Sequence, residues 1–181
     1  GRVGATVAGV GLRLTVRREA WLAHVRATAA AYGPALVPVV KGNGYGLGRP
    51  VLHEVVGTLA DTVCVGTVHE LDHVAAGVDP VVLTPHMGTP PAHQHVAVTV
   101  DHPSQLQGRG GRVMVKLASS MHRYGALPDA LPALLAAVDR SGAEHTGYAL
   151  HLPLAGTDDD RVAEVDAWLR HLPDDGRALW L

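Results

Sequence analysis

A lysine opens a glycine-rich segment of this sequence. Lys41 follows the apolar run 36–40, and residues 41–48 read KGNGYGLG. The apolar run predicts a buried strand, which would place the lysine at the carboxyl end of that strand, where parallel barrel enzymes keep their chemistry. Desolvation there would lower the pKa of the amine and leave it free to condense with an aldehyde. On spacing alone, a flexible turn at Asn43 and Gly44 with Lys41 reaching into water is the more common explanation.

The segment 41–48 resembles the KANAYGHG motif of alanine racemases, with glycine at both alanine positions and Leu47 at the histidine position. The resemblance implies that Lys41 binds pyridoxal 5'-phosphate as a Schiff base and abstracts the α-proton of an amino acid. It also implies that Tyr45 lies beside the lysine near the cofactor, with Asn43 in a supporting position.

A second segment resembles a later motif of the same family. Residues 116–123 read KLASSMHR, which is similar to KxDTGMGR. The resemblance implies that Arg123 donates to the phenolic oxygen of the cofactor and that Lys116 supports this arginine. Ala118 and His122 depart from the motif, which indicates a divergent branch of the family.

A third segment completes the order of motifs. Residues 147–153 read GYALHLP and are similar to a family strand that ends in Thr-His-Phe, so the resemblance implies that His151 stacks near the cofactor ring. The similarity covers nearly the whole chain. It further implies an amino acid as the small-molecule substrate, without indicating which one, and a homodimer in the intact protein.

The elements that must position these residues alternate along the chain, because apolar positions recur with periods of 2 and 3.6 in turn. The pattern predicts an α/β fold, an incomplete TIM-type (β/α)8 barrel with about seven strands counted from residue 36. An open doubly wound sheet is the alternative, but its G-x-G-x-x-G fingerprint is absent. We expect strands at 10–15, 36–40, 62–66, 80–84, 95–100, 112–117, 145–151 and 177–181, and helices at 18–32, 50–59, 68–76, 127–138 and 158–172.

Composition excludes several classes of protein. The 15 basic and 17 acidic residues give a net charge of -2 and no basic stripe, so nucleic acid and membrane surfaces are not expected partners. No apolar run reaches the roughly 20 residues that cross a bilayer. The single cysteine, Cys64, lies in an apolar run and indicates a small buried residue and a cytoplasmic protein.

Residues 69–73 match H-E-x-x-H, the zinc-protease helix in which two histidines bind the metal and the glutamate is the general base. The apolar stripe of this segment would leave His69 and His73 on the solvent side. Glu70 also has a structural explanation, since it would close a capping box with Thr67. We therefore expect no metal site and keep a zinc hydrolase as a remote alternative.

The sequence as a whole predicts a pyridoxal-phosphate-dependent racemase barrel, with residues 1–181 as one domain and the C-terminal β-domain of the family absent. Phosphate-binding loops follow the last two strands of such barrels. The resemblance places a second base in the missing domain, so the chain alone is expected to be a weak cofactor binder with little turnover. A non-catalytic cofactor carrier remains the second interpretation.

Overall fold

The protein is a parallel sheet with helices packed against it. The computed structural model describes residues 15–88, 93, 95–108 and 110–181. The strands are β1 (Thr62–Val65), β2 (Asp79–Val82), β3 (Ala97–Val100), β4 (Arg112–Leu117), β5 (Glu144–Leu150) and β6 (Leu179–Trp180). The α-helices are α1 (Arg18–Tyr32), α2 (Arg49–Val56), α3 (Leu131–Ser141) and α4 (Asp158–Leu169).

The sheet runs in the order of the sequence, β1-β2-β3-β4-β5-β6, and every neighbouring pair is parallel. A doubly wound sheet reverses its strand order at a switch point, whereas a barrel adds each strand beside the last. The six strands therefore form a curled half-barrel, and the predicted incomplete α/β barrel is confirmed.

The segment 36–40 pairs with β1 over less length than expected. Its contact is a bridge between Val39 and Cys64, in which the Val40 N–H donates to the Cys64 carbonyl and the Cys64 N–H to the Pro38 carbonyl, both at 2.8 Å. Pro38 has no N–H to donate, so a regular ladder cannot pass through it. The full strand predicted here is wrong, but the segment still runs parallel to β1 and adds a seventh piece to the barrel wall.

Helix bounds differ from the prediction in four places: α2, the segment 68–76, α3, which begins at Leu131, and α4, which ends at Leu169. α2 ends at Val56, followed by Gly57, a residue that weakens helices. The helix predicted over 68–76 is a 3-10 helix at Val68–His73, and Val74 is already extended. By contrast, α1 and β4 have the predicted bounds. The strand predicted at 10–15 lies outside the described residues except for Thr15, which is not in a strand.

One further helical element lies between β3 and β4. Among the described residues of this connection, the helical part is a 3-10 helix at Pro103–Leu106, because the connection is too short for a full crossover helix. In the part of the chain that the structure describes, no helix is long and apolar enough to cross a membrane.

Side chains of the strands alternate between two apolar layers. The larger layer lies between the sheet and helices α3 and α4 and includes Val65, Val82, Val98, Val113 and Leu134. The opposite face of the sheet carries a smaller cluster of Cys64, Val81, Ala97 and Met114, partly covered by Ala149 and Trp180. Small side chains suit this face, because the interior of a barrel is narrow.

Cys64 offers a direct test of this inner layer. The residue is 5% exposed, and burial raises the pKa of its thiol to about 12. We expect the folded protein to resist a disulfide reagent such as dithionitrobenzoate at pH 8, since the thiolate is the reacting form. One thiol should react after unfolding in guanidinium, because the sequence has a single cysteine. Rapid reaction of the native protein would show that this layer is open to solvent.

Candidate functional site at the carboxyl ends of the strands

Parallel strands bring their carboxyl ends to one edge of the sheet, and the predicted site residues lie there. Lys41 directly follows Val40, which is 3% exposed and therefore anchors the base of the lysine. Lys116 is near the end of β4, and His151 directly follows β5. The three motifs, which are far apart in the sequence, therefore lie at the same edge of the sheet.

The lysines of the chain differ in their surroundings. The sequence contains two, Lys41 and Lys116. Lys116 is 7% exposed, and its Nζ donates to the Leu83 carbonyl at 2.6 Å. The Lys41 residue is exposed. Of the two amines, the one on Lys41 is therefore the one that a solvent-borne aldehyde can reach.

Positive charge accumulates around Lys116. Burial lowers the pKa of this lysine, Asp101 opposes the shift, and the nearby charges of Arg123 and Lys41 lower the pKa further. The Nζ atom also lies 5.8 Å from the centroid of the Tyr124 ring, within range of a cation–π contact. A compact group of cations at a strand edge is suited to an anionic ligand.

The same positive charges act on His151. Partial burial lowers the pKa of its imidazole, and Lys116, Arg123 and Lys41 each lower the pKa further. An imidazole depressed in this way is neutral over more of the physiological pH range. Lys41 and Arg123 therefore each act electrostatically on both Lys116 and His151.

Arg123 lies on a loop that folds back onto the strand before it. The Ala126 N–H donates to the Lys116 carbonyl at 2.8 Å, and the Ala118 N–H donates to the Ala126 carbonyl at 2.9 Å. The Gly125 N–H donates to a carboxylate oxygen of Asp101 at 2.8 Å. These bonds close the loop at both ends, and Arg123 is exposed on it.

The remaining two predicted residues are in the glycine-rich segment. Tyr45 has a φ of 54° and a fully exposed side chain. The Asn43 carbonyl accepts hydrogen bonds from the N–H groups of Gly46 and Gly48, at 3.1 and 3.0 Å. Asn43 therefore shapes the turn through its backbone, and the roles that the resemblance gives to its side chain and to Tyr45 stay predictions.

Two acidic residues of this region were not predicted as site residues. Asp101 follows β3, and its negative charge raises the pKa of Lys116 more than any other nearby group does. Glu70 binds the backbone of Gly42 at 2.7 Å. An acidic residue directly after a predicted strand is a signal that could have found Asp101. The capping-box spacing identified Glu70 as a helix cap but contains no information about Gly42.

The zinc interpretation of residues 69–73 finds no support. Among the described residues, no group of three histidine, cysteine, aspartate or glutamate side chains could hold a metal ion. The Glu70 carboxylate is already occupied by the N–H groups of Gly42, Gly66 and Thr67, at 2.7, 2.6 and 3.0 Å. It is therefore not placed to activate a metal-bound water.

A large open cavity adjoins the loop that carries Arg123. It has a volume of about 510 Å³ and lies between this loop and α4. Glu164 lines one side of the cavity and accepts hydrogen bonds from the backbone N–H and the hydroxyl of Ser120, at 2.6 and 2.8 Å. Trp168 closes another side, where its indole N–H donates to the Ala118 carbonyl at 2.7 Å. Both contacts fix the loop against α4.

The class of protein is set by the fold: a parallel α/β barrel domain, with a candidate site of basic residues at the carboxyl ends of its strands. The family model "Alanine racemase, N-terminal domain" matches residues 16–174. The chain belongs to this family.

Solved structures with the same fold include racemases and decarboxylases. Alanine racemase from Corynebacterium glutamicum is 23% identical with a TM-score of 0.67, and the match covers 85% of this chain and 48% of that one. Biosynthetic alanine racemase from Pseudomonas aeruginosa is 22% identical with a TM-score of 0.64, covering 88% and 51%. Lysine/ornithine decarboxylase from Vibrio vulnificus is 15% identical with a TM-score of 0.61, covering 83% and 44%.

At these identities the structural matches show the fold alone. The chain spans about half the length of the solved structures that it matches. No curated protein sequence is significantly similar to it.

Proposed function

We propose that this chain is the cofactor-binding barrel of a pyridoxal-phosphate-dependent amino-acid racemase, with Lys41 as the residue that binds the cofactor. The observation that carries the proposal is the contrast between the two lysines of the chain. Lys41 is exposed at the end of the segment that pairs with β1, whereas Lys116 is buried against a carbonyl. Family membership supports the same assignment.

The residues present suit such a cofactor. Pyridoxal phosphate is an anion with an aldehyde, so it requires one free primary amine and several cationic or hydrogen-bonding partners. Lys41 would supply the amine, and Arg123 would supply a guanidinium to an anionic oxygen of the cofactor. Lys116 would add positive charge nearby, and His151 would offer a flat ring at the end of β5. When bound, the cofactor supplies an electron-withdrawing ring that makes the α-proton of an amino acid acidic.

In the proposed reaction Lys41 takes or returns the α-proton on one face of the substrate. Racemisation also needs an acid–base group on the opposite face. The family resemblance places that group in a C-terminal β-domain, so we expect this chain alone to bind cofactor weakly and to turn over little substrate.

Barrel decarboxylases share this fold, so the reaction class needs its own test. In the intact enzyme, a racemase exchanges the α-proton of an amino acid for deuterium and retains the carboxylate. A decarboxylase instead releases carbon dioxide and an amine. A non-catalytic cofactor carrier would bind pyridoxal phosphate and do neither.

The experiment that tests cofactor binding is reductive trapping. The chain is incubated with pyridoxal phosphate, reduced with borohydride and digested, and the pyridoxyl group is located by mass spectrometry. We expect the group on the peptide that contains Lys41 and not on the peptide that contains Lys116. Because these are the two lysines of the sequence, the assignment is unambiguous. Labelling of Lys116 alone, or of neither lysine, would contradict the proposal.

A further inference from the structure

The glutamate of the H-E-x-x-H match has a function that the zinc motif does not describe. We propose that Glu70 is a positioning residue for Lys41: its carboxylate fastens the backbone just after the lysine to the end of β1 and thereby fixes where the amine stands. This inference rests on the proposed role of Lys41 in cofactor binding.

Both carboxylate oxygens of Glu70 are used. Oε1 accepts a hydrogen bond from the Gly42 N–H at 2.7 Å. Oε2 accepts from the N–H groups of Gly66 and Thr67, at 2.6 and 3.0 Å. A glutamate that served only as a helix cap would need the Thr67 bond alone. The bond to Gly42 joins two parts of the chain that are 28 residues apart.

The backbone hydrogen bonds inside the lysine segment are local. The Gly44 N–H donates to the Lys41 carbonyl at 3.2 Å, and two other N–H groups donate to Asn43. Such bonds shape the turn but do not place it on the barrel. The preceding residue, Val40, is bonded to β1, and Glu70 holds the next N–H after the lysine. Lys41 is therefore held on both sides.

Gly66 shows how closely these groups approach. A Cβ atom built at Gly66 would lie 2.6 Å from Glu70 Oε2 and 3.2 Å from the Lys41 Cβ. The first distance is too short for real atoms, so a side chain at this position would displace the carboxylate, the lysine or both. The end of β1 is thus the surface against which Glu70 and Lys41 both pack.

The carboxylate is well suited to remain ionised in this position. Partial burial alone would raise the pKa of Glu70, but the N–H groups of Gly42, Thr67 and Gly66 outweigh burial, and the charge of Arg49 adds to them. The pKa is therefore lowered. An ionised acceptor makes stronger hydrogen bonds to N–H groups than a neutral one.

The test is Glu70→Gln, because it keeps the size of the side chain and removes one acceptor oxygen. Whichever way the amide turns, its NH2 group faces a backbone N–H. Asp160→Asn is the matched control. Asp160 closes a capping box on α4 by accepting from the N–H and hydroxyl of Thr157, both at 2.8 Å. Both variants weaken a helix cap, but only the first touches Lys41.

Two quantities are measured in the wild type and both variants: amide hydrogen exchange at Gly42 by NMR, and the dissociation constant for pyridoxal phosphate. We expect Glu70→Gln to accelerate Gly42 exchange and weaken cofactor binding by about tenfold, the factor that matches one lost bond to a charged group. Asp160→Asn should leave both unchanged. The inference is overturned if Glu70→Gln loses as much stability as Asp160→Asn but keeps the wild-type rate of Gly42 exchange and the wild-type affinity for pyridoxal phosphate. Glu70 would then be a helix cap and nothing more.

The two proposals can fail separately. If the wild type acquires no pyridoxyl group on Lys41, the proposed function fails, and Gly42 exchange alone then decides whether Glu70 holds the segment. If Glu70→Gln does not fold, Gly66→Ala tests the same contact, since the added methyl group presses on Glu70 and Lys41. It should also accelerate Gly42 exchange and weaken cofactor binding, and wild-type values for both would count against the inference.

Discussion

Replacing Lys41 with alanine is expected to abolish the borohydride-stable pyridoxyl group on this chain. The reason is chemical rather than structural: an aldehyde condenses with a primary amine, and the second lysine, Lys116, is buried with its Nζ bonded to Leu83. In the intact enzyme, loss of the acid–base group on one face should lower kcat by roughly 10²–10⁴-fold. Mass spectrometry of the reduced protein and a racemisation assay measure the two effects.

Lys41→Arg is the control that separates covalent binding from attraction by charge. Arginine preserves the positive charge at the strand end but has no primary amine that can condense with an aldehyde. We expect this variant to lose the pyridoxyl group as completely as Lys41→Ala. Because Lys41 is exposed, both variants should unfold at the wild-type urea concentration. Retention of the pyridoxyl group by either variant would exclude Lys41 as the cofactor lysine.

Gly125→Ala is expected to produce the largest loss of stability among the substitutions considered for this chain. Gly125 has a φ of 110°, which L residues rarely adopt, and a Cβ there would overlap backbone atoms of Leu117 and Ala118. Backbone atoms at the end of β4 cannot move aside as a flexible side chain can. Strain and overlap together should lower the free energy of unfolding by roughly 3 kcal/mol or more.

Urea denaturation measures this loss, and Gly142→Ala is the control that separates the cost of atomic overlap from the cost of the backbone conformation. Gly142 caps α3 with a φ of 72°, but a Cβ there meets no atom within 4 Å. Its replacement should therefore lower the free energy of unfolding by only about 1 kcal/mol, the price of the left-handed conformation. Similar losses in the two variants would mean that the loop carrying Arg123 shifts easily. Gly125→Ala should also weaken cofactor binding, because that loop places Arg123 beside Lys116.

Much of the barrel could be predicted from local pattern. The bounds of α1 and β4 match the apolar spacing, and the alternation of strands and helices was sufficient to predict a parallel barrel. The predictions were wrong where the backbone, or a contact with a residue distant in sequence, outweighed the pattern of apolar side chains. Pro38 interrupts the ladder at 36–40, and the predicted helix at 68–76 becomes a short 3-10 helix that places Glu70 beside Gly42.

The positions of Lys41, Arg123 and His151 could be anticipated because each follows a segment that runs parallel to its neighbours in the barrel wall, and parallel segments end at one edge. Their electrostatic coupling could not be anticipated in the same way. The burial of Lys116 against Leu83 and the opposing charge of Asp101 arise between strands that are distant in sequence. Asp101 has the same position after a strand as the predicted residues, but its partners became visible only in three dimensions.

The amino-acid sequence by itself predicted Lys41 as the reactive amine, through the resemblance of residues 41–48 to a family motif, and placed it after an apolar segment, because residue type and spacing are local properties. Only the tertiary structure decided which partners surround that amine. Glu70 reaches Gly42 across 28 residues, and Lys116 reaches Leu83 across 33. Burial and hydrogen bonding at such separations depend on how strands are placed side by side, which no short stretch of sequence contains.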